Sequence, residues 1–241
     1  MNKIFVQIYK KLLKEYGSQG WWPVYSLRNT EYRDGRGYYY DHVQLESHRK
    51  LTLGKLSEFE IAIGAVLTQN TAWTNVEKAL GNLIKQNLID PKGIMDIDQE
   101  KLADLIRPSG YYNQKAEKIK ILTHFLLTGG YFQNKNIPAR EDLLALWGIG
   151  EETADSILLY AYNVPLFVVD AYTKRIFKRL GILEGKEKYK EIAGLFTDSL
   201  ERDYLVFQEY HALMVQHAKE HCRKKPICKA CVLNNLCKKN I

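Results

Sequence analysis

Hydrophobic residues recur along most of the chain at intervals of three and four, which is the period of an amphipathic α-helix. The segment "SEFEIAIGAVLTQNTAWTNVEKALGNLIKQ" shows this period clearly. Ser57 and Glu60 have the spacing of a capping box and are predicted to begin that helix. The whole pattern predicts helices near residues 2–16, 57–69, 73–86, 99–106, 113–128, 140–146, 151–162, 171–180, 187–200 and 202–219.

The segment 25–50 is the exception, because it is polar, rich in tyrosine and without a regular period. It predicts a long loop, with a short hairpin as the alternative. Elsewhere the chain shows no internal repeat and no pair of alternating strands. The predicted fold class is therefore all-α.

Composition adds that this is an ordinary globular chain. Its 241 residues are 46% hydrophobic and 26% charged, enough for one large domain or two small ones. The net charge of +7 permits an acidic partner without requiring one. Much of the excess lies at residues 218–241, which hold seven basic residues and one acidic residue. That segment predicts either a solvated basic tail or, because it also holds the cysteines, an ordered module.

No apolar run approaches the roughly 18 residues that a membrane span needs. The N-terminal segment is a charged amphipathic helix with Ile4, Ile8 and Leu12 on one face. We therefore expect a cytoplasmic protein, associated with the nucleoid in a prokaryote, with no membrane partner. Thiols stay reduced in that compartment, so clustered cysteines indicate a metal site before they indicate disulfides.

The four cysteines have the spacing C-x5-C-x2-C-x5-C, formed by Cys222, Cys228, Cys231 and Cys237. Four thiolates suit either tetrahedral zinc or a four-iron, four-sulfur cluster. Zinc sites usually pair two short knuckles, whereas only one gap is short here. The spacing therefore favours iron and sulfur while leaving zinc open.

A Gly-x-Gly turn at Gly148, Ile149 and Gly150 precedes a predicted helix. The two glycines allow a tight turn and close backbone approach, and the helix offers unpaired N–H groups and a positive dipole end to a phosphate. Glu151 and Glu152 follow directly, at positions where acids stabilise the helix dipole. Backbone groups, not side chains, are expected to bind the anion.

Asp170 closes the apolar run "PLFVV" and precedes the basic helix "AYTKRIFKRL". The common role for such an aspartate is an N-cap. A capping carboxylate that faces a cleft can also act in catalysis, and the residue pattern alone leaves both roles open.

The order of these features is specific: hairpin, helix, apolar run, Asp, basic helix and four cysteines. Over residues 50–241 the chain resembles the helix-hairpin-helix DNA glycosylases of the endonuclease III superfamily, through "LWGIGEETAD", "VVDAYTKRI" and the cysteines. Within that superfamily it most resembles the DNA-3-methyladenine glycosylase III group, through "WWP", "FEIAIGAVLTQNTAW" and "RPSGYYNQKAEKI". Its first cysteine gap is one residue shorter than is usual in the superfamily, and members of the 3-methyladenine group can lack the cluster.

The resemblance implies a two-domain, all-α fold. One domain is a six-helix barrel at 57–164 with the helix-hairpin-helix near 140–162, and the other joins 1–56 to 165–241 with the iron-sulfur motif at 222–237. The implied partner is double-stranded DNA with a damaged base, and we expect a monomer.

The resemblance also assigns roles to residues. Asp170 matches the catalytic carboxylate, and the cysteines match the ligands of a 4Fe-4S cluster. The implied substrate pocket is Trp21, Trp22, Pro23 and Trp73, although tryptophan is also a common core residue. The implied DNA-binding residues are Gln69, Gly148, Ile149, Gly150 and Thr153, although Gln69 also suits a helix cap or a surface position.

Glu152 stands where the bifunctional members have a Schiff-base lysine, and without that amine no covalent sugar adduct forms. An alkylated purine is cationic and already a good leaving group, so an electron-rich aromatic slot suits it. The resemblance thus implies a monofunctional DNA glycosylase that excises alkylated purines such as 3-methyladenine. The alternatives are a glycosylase for an oxidised, deaminated or mismatched base, and a non-catalytic iron-sulfur protein that binds DNA.

Overall fold

The computed structural model describes residues 3–28, 55–132 and 136–239, and every regular element in these ranges is helical. Each helix predicted from the hydrophobic period is present, with ends that differ from the prediction by no more than two residues. A short helix at Pro91–Asp96 was not predicted, because six residues are too few to show a period. No helix among the described residues is both long and apolar enough to cross a membrane.

The described residues divide into two compact units. Residues 22–28, 55–132 and 136–162 form what we call the central unit, and residues 3–21 and 163–239 form the terminal unit. The division differs from the predicted domains at residues 22–28 and 55–56, which were expected with the chain termini, and at residues 163–164, which were expected in the barrel. Residues 22–28 pack against the first helix of the central unit, where Glu60 accepts hydrogen bonds from the backbone N–H groups of Tyr25 and Ser26.

The central unit is built around one buried helix, α2, in which every residue from Phe59 to Leu67 is buried. A helix that is apolar on all sides is stable only at the centre of a packed domain. It contacts α3, α6 and α8, while α4 and α5 pack on α6. The helices are α2 (Lys55–Leu67), α3 (Trp73–Lys85), α4 (Pro91–Asp96), α5 (Gln99–Leu105), α6 (Tyr112–Thr128), α7 (Arg140–Leu144) and α8 (Glu151–Ala161), with 3₁₀ turns at Tyr25–Leu27 and Arg107–Ser109.

The terminal unit has an aromatic core. Phe167 stacks on Phe196 with ring centroids 3.7 Å apart, and Phe5 meets Phe196 edge to face at 4.9 Å. These contacts join the two ends of the chain into one unit, since α1 packs on α10 and α11. The helices are α1 (Lys3–Tyr16), α9 (Ala171–Leu180), α10 (Tyr189–Ser199) and α11 (Tyr204–Glu220), with a 3₁₀ turn at Asn234–Leu236.

The capping box predicted at Ser57 and Glu60 is wrong. Helix α2 already begins at Lys55, so Ser57 lies inside it. Glu60 is fully buried and accepts hydrogen bonds from the backbone N–H groups of Tyr25 and Ser26. Burial raises the pKa of Glu60, and the same hydrogen bonds lower it in part. Glu60 therefore fixes the segment that follows the tryptophan pair. The predicted loop at 25–50 begins with a 3₁₀ turn, and its residues 29–50 lie outside the described ranges.

Candidate functional site

The Gly-x-Gly turn lies between α7 and α8, as predicted, but its two glycines differ. Gly148 has φ +80°, a left-handed conformation that favours glycine. Gly150 has φ −93° and ψ 177°, which is extended backbone open to any residue. No atom lies within 4 Å of where a Cβ at Gly150 would stand, so this side of the turn is open to a ligand. The positive φ that favours glycine is thus found at Gly148, whereas at Gly150 the absence of a side chain leaves room for close approach of a ligand to the backbone.

The turn presents backbone donors to solvent. Among the described residues, the N–H groups of Gly148 and Gly150 have no hydrogen-bond acceptor. The N–H of Ile149 donates instead to Leu146 at 3.2 Å, and the Ile149 side chain is buried. With the positive end of α8 behind them, the free glycine N–H groups are suited to a phosphate oxygen.

One of the two acids beside the turn, Glu151, lies at the edge of an ion pair between α7 and α8. Arg140 on α7 donates to both carboxylate oxygens of Asp155 on α8, at 2.6 and 3.0 Å. The same guanidinium reaches Glu151 at 3.5 Å. Asp155 is nearly fully buried, so this pair joins the two hairpin helices. Glu152 is exposed at the second residue of α8.

Gln69 lies just after α2 and contacts the hairpin. Its side-chain N–H group donates to the Gly148 carbonyl at 3.1 Å and to the Thr153 hydroxyl at 3.0 Å. Its carbonyl oxygen accepts from Lys118 at 2.7 Å. The structure thus brings together four of the predicted DNA-binding residues, Gln69, Gly148, Gly150 and Thr153. Lys118 is an addition that the sequence did not indicate.

Lys115 fixes the end of α2, two residues before Gln69. Its buried ammonium donates to the carbonyls of Leu67 and Ser109, at 2.8 and 2.7 Å. Burial and, to a smaller extent, the nearby charge of Lys118 together lower the pKa of Lys115 to about 8. A lysine in an amphipathic helix gives no sequence signal for such a role, so it was not predicted.

Asp170 is the N-cap of α9, and only one of its oxygens is used for capping. Oδ1 accepts from the N–H and the hydroxyl of Thr173, both at 2.7 Å. Oδ2 lies 3.7 Å from Nε2 of His211 on α11. Burial raises the pKa of Asp170, but His211 and Thr173 lower it more, and the net pKa lies below its ordinary value. At neutral pH the group is therefore a carboxylate with one oxygen fixed and the other directed elsewhere.

His211 was not predicted, because a histidine on a buried helix face is most often a core residue. It is buried, and its ring meets the ring of Trp21 edge to face at 5.7 Å. Trp21, His211 and Asp170 thus form one cluster in the terminal unit.

Two tryptophans of the predicted aromatic pocket, Trp22 and Trp73, pack together in the central unit. Trp22 and Trp73 meet edge to face at 5.6 Å, and Trp22 also packs on Tyr160 at 5.1 Å. Trp22 is 7% exposed and Pro23 is buried, whereas Trp73 is partly exposed. Trp22 therefore has the contacts of a core residue as well as of a pocket wall, and Trp73 is the member of this pair that is open to a ligand.

The four cysteines line one cavity, of about 30 Å³, together with α9 and the end of α11. Arg179 donates to the Cys222 sulfur at 3.3 Å, and the backbone N–H of Lys239 donates to Cys237 at 3.4 Å. Burial raises the pKa of Cys231, and the three neighbouring thiols raise it further. In the described part of the chain, no three His, Cys, Asp or Glu side chains converge closely enough to hold a single ion. The four thiols instead lie around the cavity that they line.

The segment around these cysteines is ordered against α9. Arg179 donates to the backbone carbonyls of Arg223 and Lys224, at 2.6 and 2.9 Å. This agrees with an ordered module rather than a solvated basic tail.

Comparison with known proteins adds the family. Residues 63–202 match the family described as HhH-GPD superfamily base excision DNA repair protein. A protein of Methanocaldococcus jannaschii that carries the provisional name DNA repair glycosylase is 40% identical, over 98% of this chain and 96% of its own length. Endonuclease III of Sulfolobus acidocaldarius is 30% identical, over 75% of this chain and 81% of its own length.

Solved structures show the same fold. A non-covalent endonuclease III–DNA complex superimposes with a TM-score of 0.75 at 21% identity, covering 100% of this chain and 96% of the other. The H. pylori 3-methyladenine DNA glycosylase bound to 1,N6-ethenoadenine superimposes with a TM-score of 0.65 at 29% identity, covering 90% and 96%.

Proposed function

Because the chain belongs to the HhH-GPD superfamily of base excision DNA repair proteins, we propose that it is a monofunctional DNA glycosylase. In this proposal it flips a damaged base out of duplex DNA, hydrolyses the N-glycosidic bond and leaves an abasic site. The alkylated purines, such as 3-methyladenine, are its proposed substrates.

The observation that carries the proposal is the arrangement of Asp170. A carboxylate that is held by Thr173 and kept ionised beside His211 can stabilise the positive charge that develops on the sugar as the base leaves. Its Oδ2 is not used by the helix cap, so it can also orient the attacking water. The bond from C1′ to the base nitrogen breaks and the base leaves with the electron pair, while the water oxygen bonds to C1′ and gives up a proton to the Asp170 carboxylate.

The absence of lyase activity is proposed from position 152. A lyase of this family needs an amine that attacks C1′, and Glu152 is an exposed carboxylate there. A carboxylate cannot form a Schiff base. The strand should therefore stay intact after the base is removed.

The substrate class is proposed from the aromatic residues and from one relative. Trp73 is partly exposed and packs on Trp22, so its ring can stack on a flipped base, and an electron-rich indole attracts a cationic purine. The H. pylori relative is described as a 3-methyladenine DNA glycosylase, which supports the same class of lesion.

The burial of Trp22 favours a second candidate. With Trp22 only 7% exposed, the slot offers one open indole rather than two. A neutral lesion, such as a deaminated or mismatched base, does not need a second electron-rich wall. This candidate keeps the same catalytic Asp170 and differs only in the base that is recognised.

A 4Fe-4S cluster is the proposed cofactor. Four thiols around one cavity, with Arg179 donating to one sulfur, suit the thiolates and the negative charge of such a cluster. Cys222, Cys228, Cys231 and Cys237 would hold it. Its role in this proposal is to order the segment that follows α11.

The test is single-turnover excision on duplexes that each carry one lesion: 3-methyladenine, uracil opposite guanine, thymine opposite guanine, or an oxidised pyrimidine. The proposal expects release of 3-methyladenine well above the other bases. Replacing Trp73 with Ala should lose stacking of roughly 1–3 kcal/mol, which lowers that release by a factor between about 5 and about 150. The affinity of the Trp73→Ala variant for undamaged duplex should not change.

Release of uracil or thymine alone would replace the proposed substrate by the second candidate. Release of no base from any duplex by well-folded protein would contradict the glycosylase itself.

A further inference from the structure

We propose that Lys118 binds a DNA phosphate beside the hairpin and that Gln69 holds its ammonium in position for that contact. This contact adds a DNA-binding residue to the proposed function, and it rests on the part of that function which is the binding of duplex DNA. The ligand class is the phosphodiester backbone of duplex DNA.

The first argument is the position of Lys118. The methylene chain of Lys118 passes directly beside Gly148, where a Cβ would stand only 2.3 Å from its Cε atom. Its ammonium lies 5.8 Å from the centre of the Trp147 ring, and Trp147 is half exposed. Lys118 therefore lies on the side of the turn where Gly148 and Trp147 reach solvent. The lack of a side chain at Gly148 is what lets the lysine pass.

The second argument is charge. Lys118 Nζ donates at 2.7 Å to the amide oxygen of Gln69, which is neutral. Within the described residues, no carboxylate lies within salt-bridge distance of this ammonium. Glu151 and Glu152 at the start of α8 would weaken the attraction of the turn for an anion. An uncompensated cation on the same surface offsets them.

The third argument is the lysines of the same helix. Lys115 and Lys120 on α6 each donate hydrogen bonds to backbone carbonyls. Lys115 donates to Leu67 and Ser109, and Lys120 donates to carbonyls at the end of α4. Their charges serve the fold. Within the described part of the chain, the ammonium of Lys118 donates to no backbone carbonyl, so its charge has no such structural role.

The fourth argument is Gln69. Its amide donates to Gly148 and Thr153 while its oxygen accepts from Lys118, so a single side chain links the cation to the turn. A phosphate held by the free N–H groups of Gly148 and Gly150 would thus meet an ammonium that is already positioned. Gln69 acts here as a positioning residue.

The experiment measures affinity for undamaged duplex DNA over a range of salt concentrations. Each phosphate contact contributes about 0.9 to the slope of log K against log salt. Lys118→Met should therefore lower the slope by about 0.9, and Lys118→Arg should keep the wild-type slope. Lys118→Gln provides a second neutral variant should the methionine disturb folding. A wild-type slope in a folded neutral variant would overturn the proposal.

The matched control is Lys120→Met, two residues further along the same helix. This variant should lose stability, because the end of α4 loses its donor, but it should keep the wild-type slope. An equal loss of slope in both variants would mean that general charge on α6, and not a contact of Lys118, was measured.

The role of Gln69 is tested by combining variants. In a Gln69→Leu background, Lys118→Met should weaken binding by a smaller factor than it does in the wild type, because the unpositioned ammonium contributes less. Equal factors in the two backgrounds would remove Gln69 from the proposal. Since no damaged base is present, these results do not depend on excision, and a failed excision assay leaves them intact.

Discussion

At the residue scale, Asp170 performs two tasks with two oxygens. Oδ1 caps α9 through Thr173, and Oδ2 is left near His211. The sequence could place Asp170 at the start of a helix and, by resemblance, in a catalytic role. It could not indicate His211, because that contact joins residues 41 positions apart and depends on how α9 packs on α11.

Replacing Asp170 with Asn separates the two tasks. Asn is as good an N-cap as Asp, so the free energy of unfolding should change little. The negative charge opposite the developing sugar cation is lost, so excision should fall on the order of a hundredfold or more. Single-turnover rates and urea unfolding measure the two effects. Near-normal excision would leave Asp170 as a cap only.

Lys115 should make stability depend on pH in a defined direction. Its pKa is about 8 in the folded protein and near its ordinary value of 10.5 in the unfolded chain. Between these two values the unfolded chain binds more protons, so folding becomes more favourable as the pH rises. The free energy of unfolding can rise through this group by at most about 1.4 kcal/mol per pH unit.

The prediction for Lys115 is checked with Lys115→Met. Urea unfolding at pH 7 and pH 9 should show wild type gaining stability relative to the variant at the higher pH. A difference between the two proteins that is the same at both pH values would contradict it.

At the scale of elements, the positions of the helices could be predicted from the sequence, but the residues that their side chains contact could not. The hydrophobic period located α2 and α8 to within two residues, since their apolar positions repeat over several turns. It missed α4, which is too short for a period although Asp90 and Pro91 are helix-start signals. It assigned Glu60 to a cap, because the alternative partners at Tyr25 and Ser26 lie 34 to 35 positions away in the chain.

The hairpin shows the same distinction. The turn was predicted from two glycines before a helix, which is a local signal. Its support by Gln69 and Lys118 comes from the turn after α2 and from α6, and no local pattern carries that information.

The ion pair between Arg140 and Asp155 should hold the hairpin helices together. Because Asp155 is buried, Arg140→Met leaves an unpaired carboxylate and should destabilise the protein by about 3 kcal/mol or more. Arg140→Met combined with Asp155→Leu should recover much of that loss. Urea unfolding of the three proteins tests this. A double variant as unstable as Arg140→Met would mean that the charge of Asp155 is not the cause.

At the scale of the whole molecule, the parts of the proposed function are distributed over both units. The central unit carries the hairpin, Gln69 and Trp73, and the terminal unit carries Asp170 and the four cysteines. The family match covers residues 63–202, so the cysteine module lies outside it. The metal content of the cysteine module therefore needs a separate test.

The cysteine module should contain about four irons per chain, with the yellow-brown colour of an iron-sulfur protein. Replacing Cys228 with Ser removes one ligand, so iron content and thermal stability should both fall. Metal analysis of the freshly purified protein measures the first and thermal unfolding the second. A colourless protein with stoichiometric zinc would overturn the cluster.

The central claim, a glycosylase without lyase activity, is tested most directly by one assay. A duplex labelled on the strand that carries 3-methyladenine is treated with excess protein and analysed with and without hot alkali, and a parallel sample receives borohydride. The account predicts strand breaks only after alkali and no covalent protein–DNA complex, because Glu152 cannot form a Schiff base. Breaks without alkali, together with efficient trapping by borohydride, would contradict it and would point to another amine, with Lys174 on α9 the first to replace.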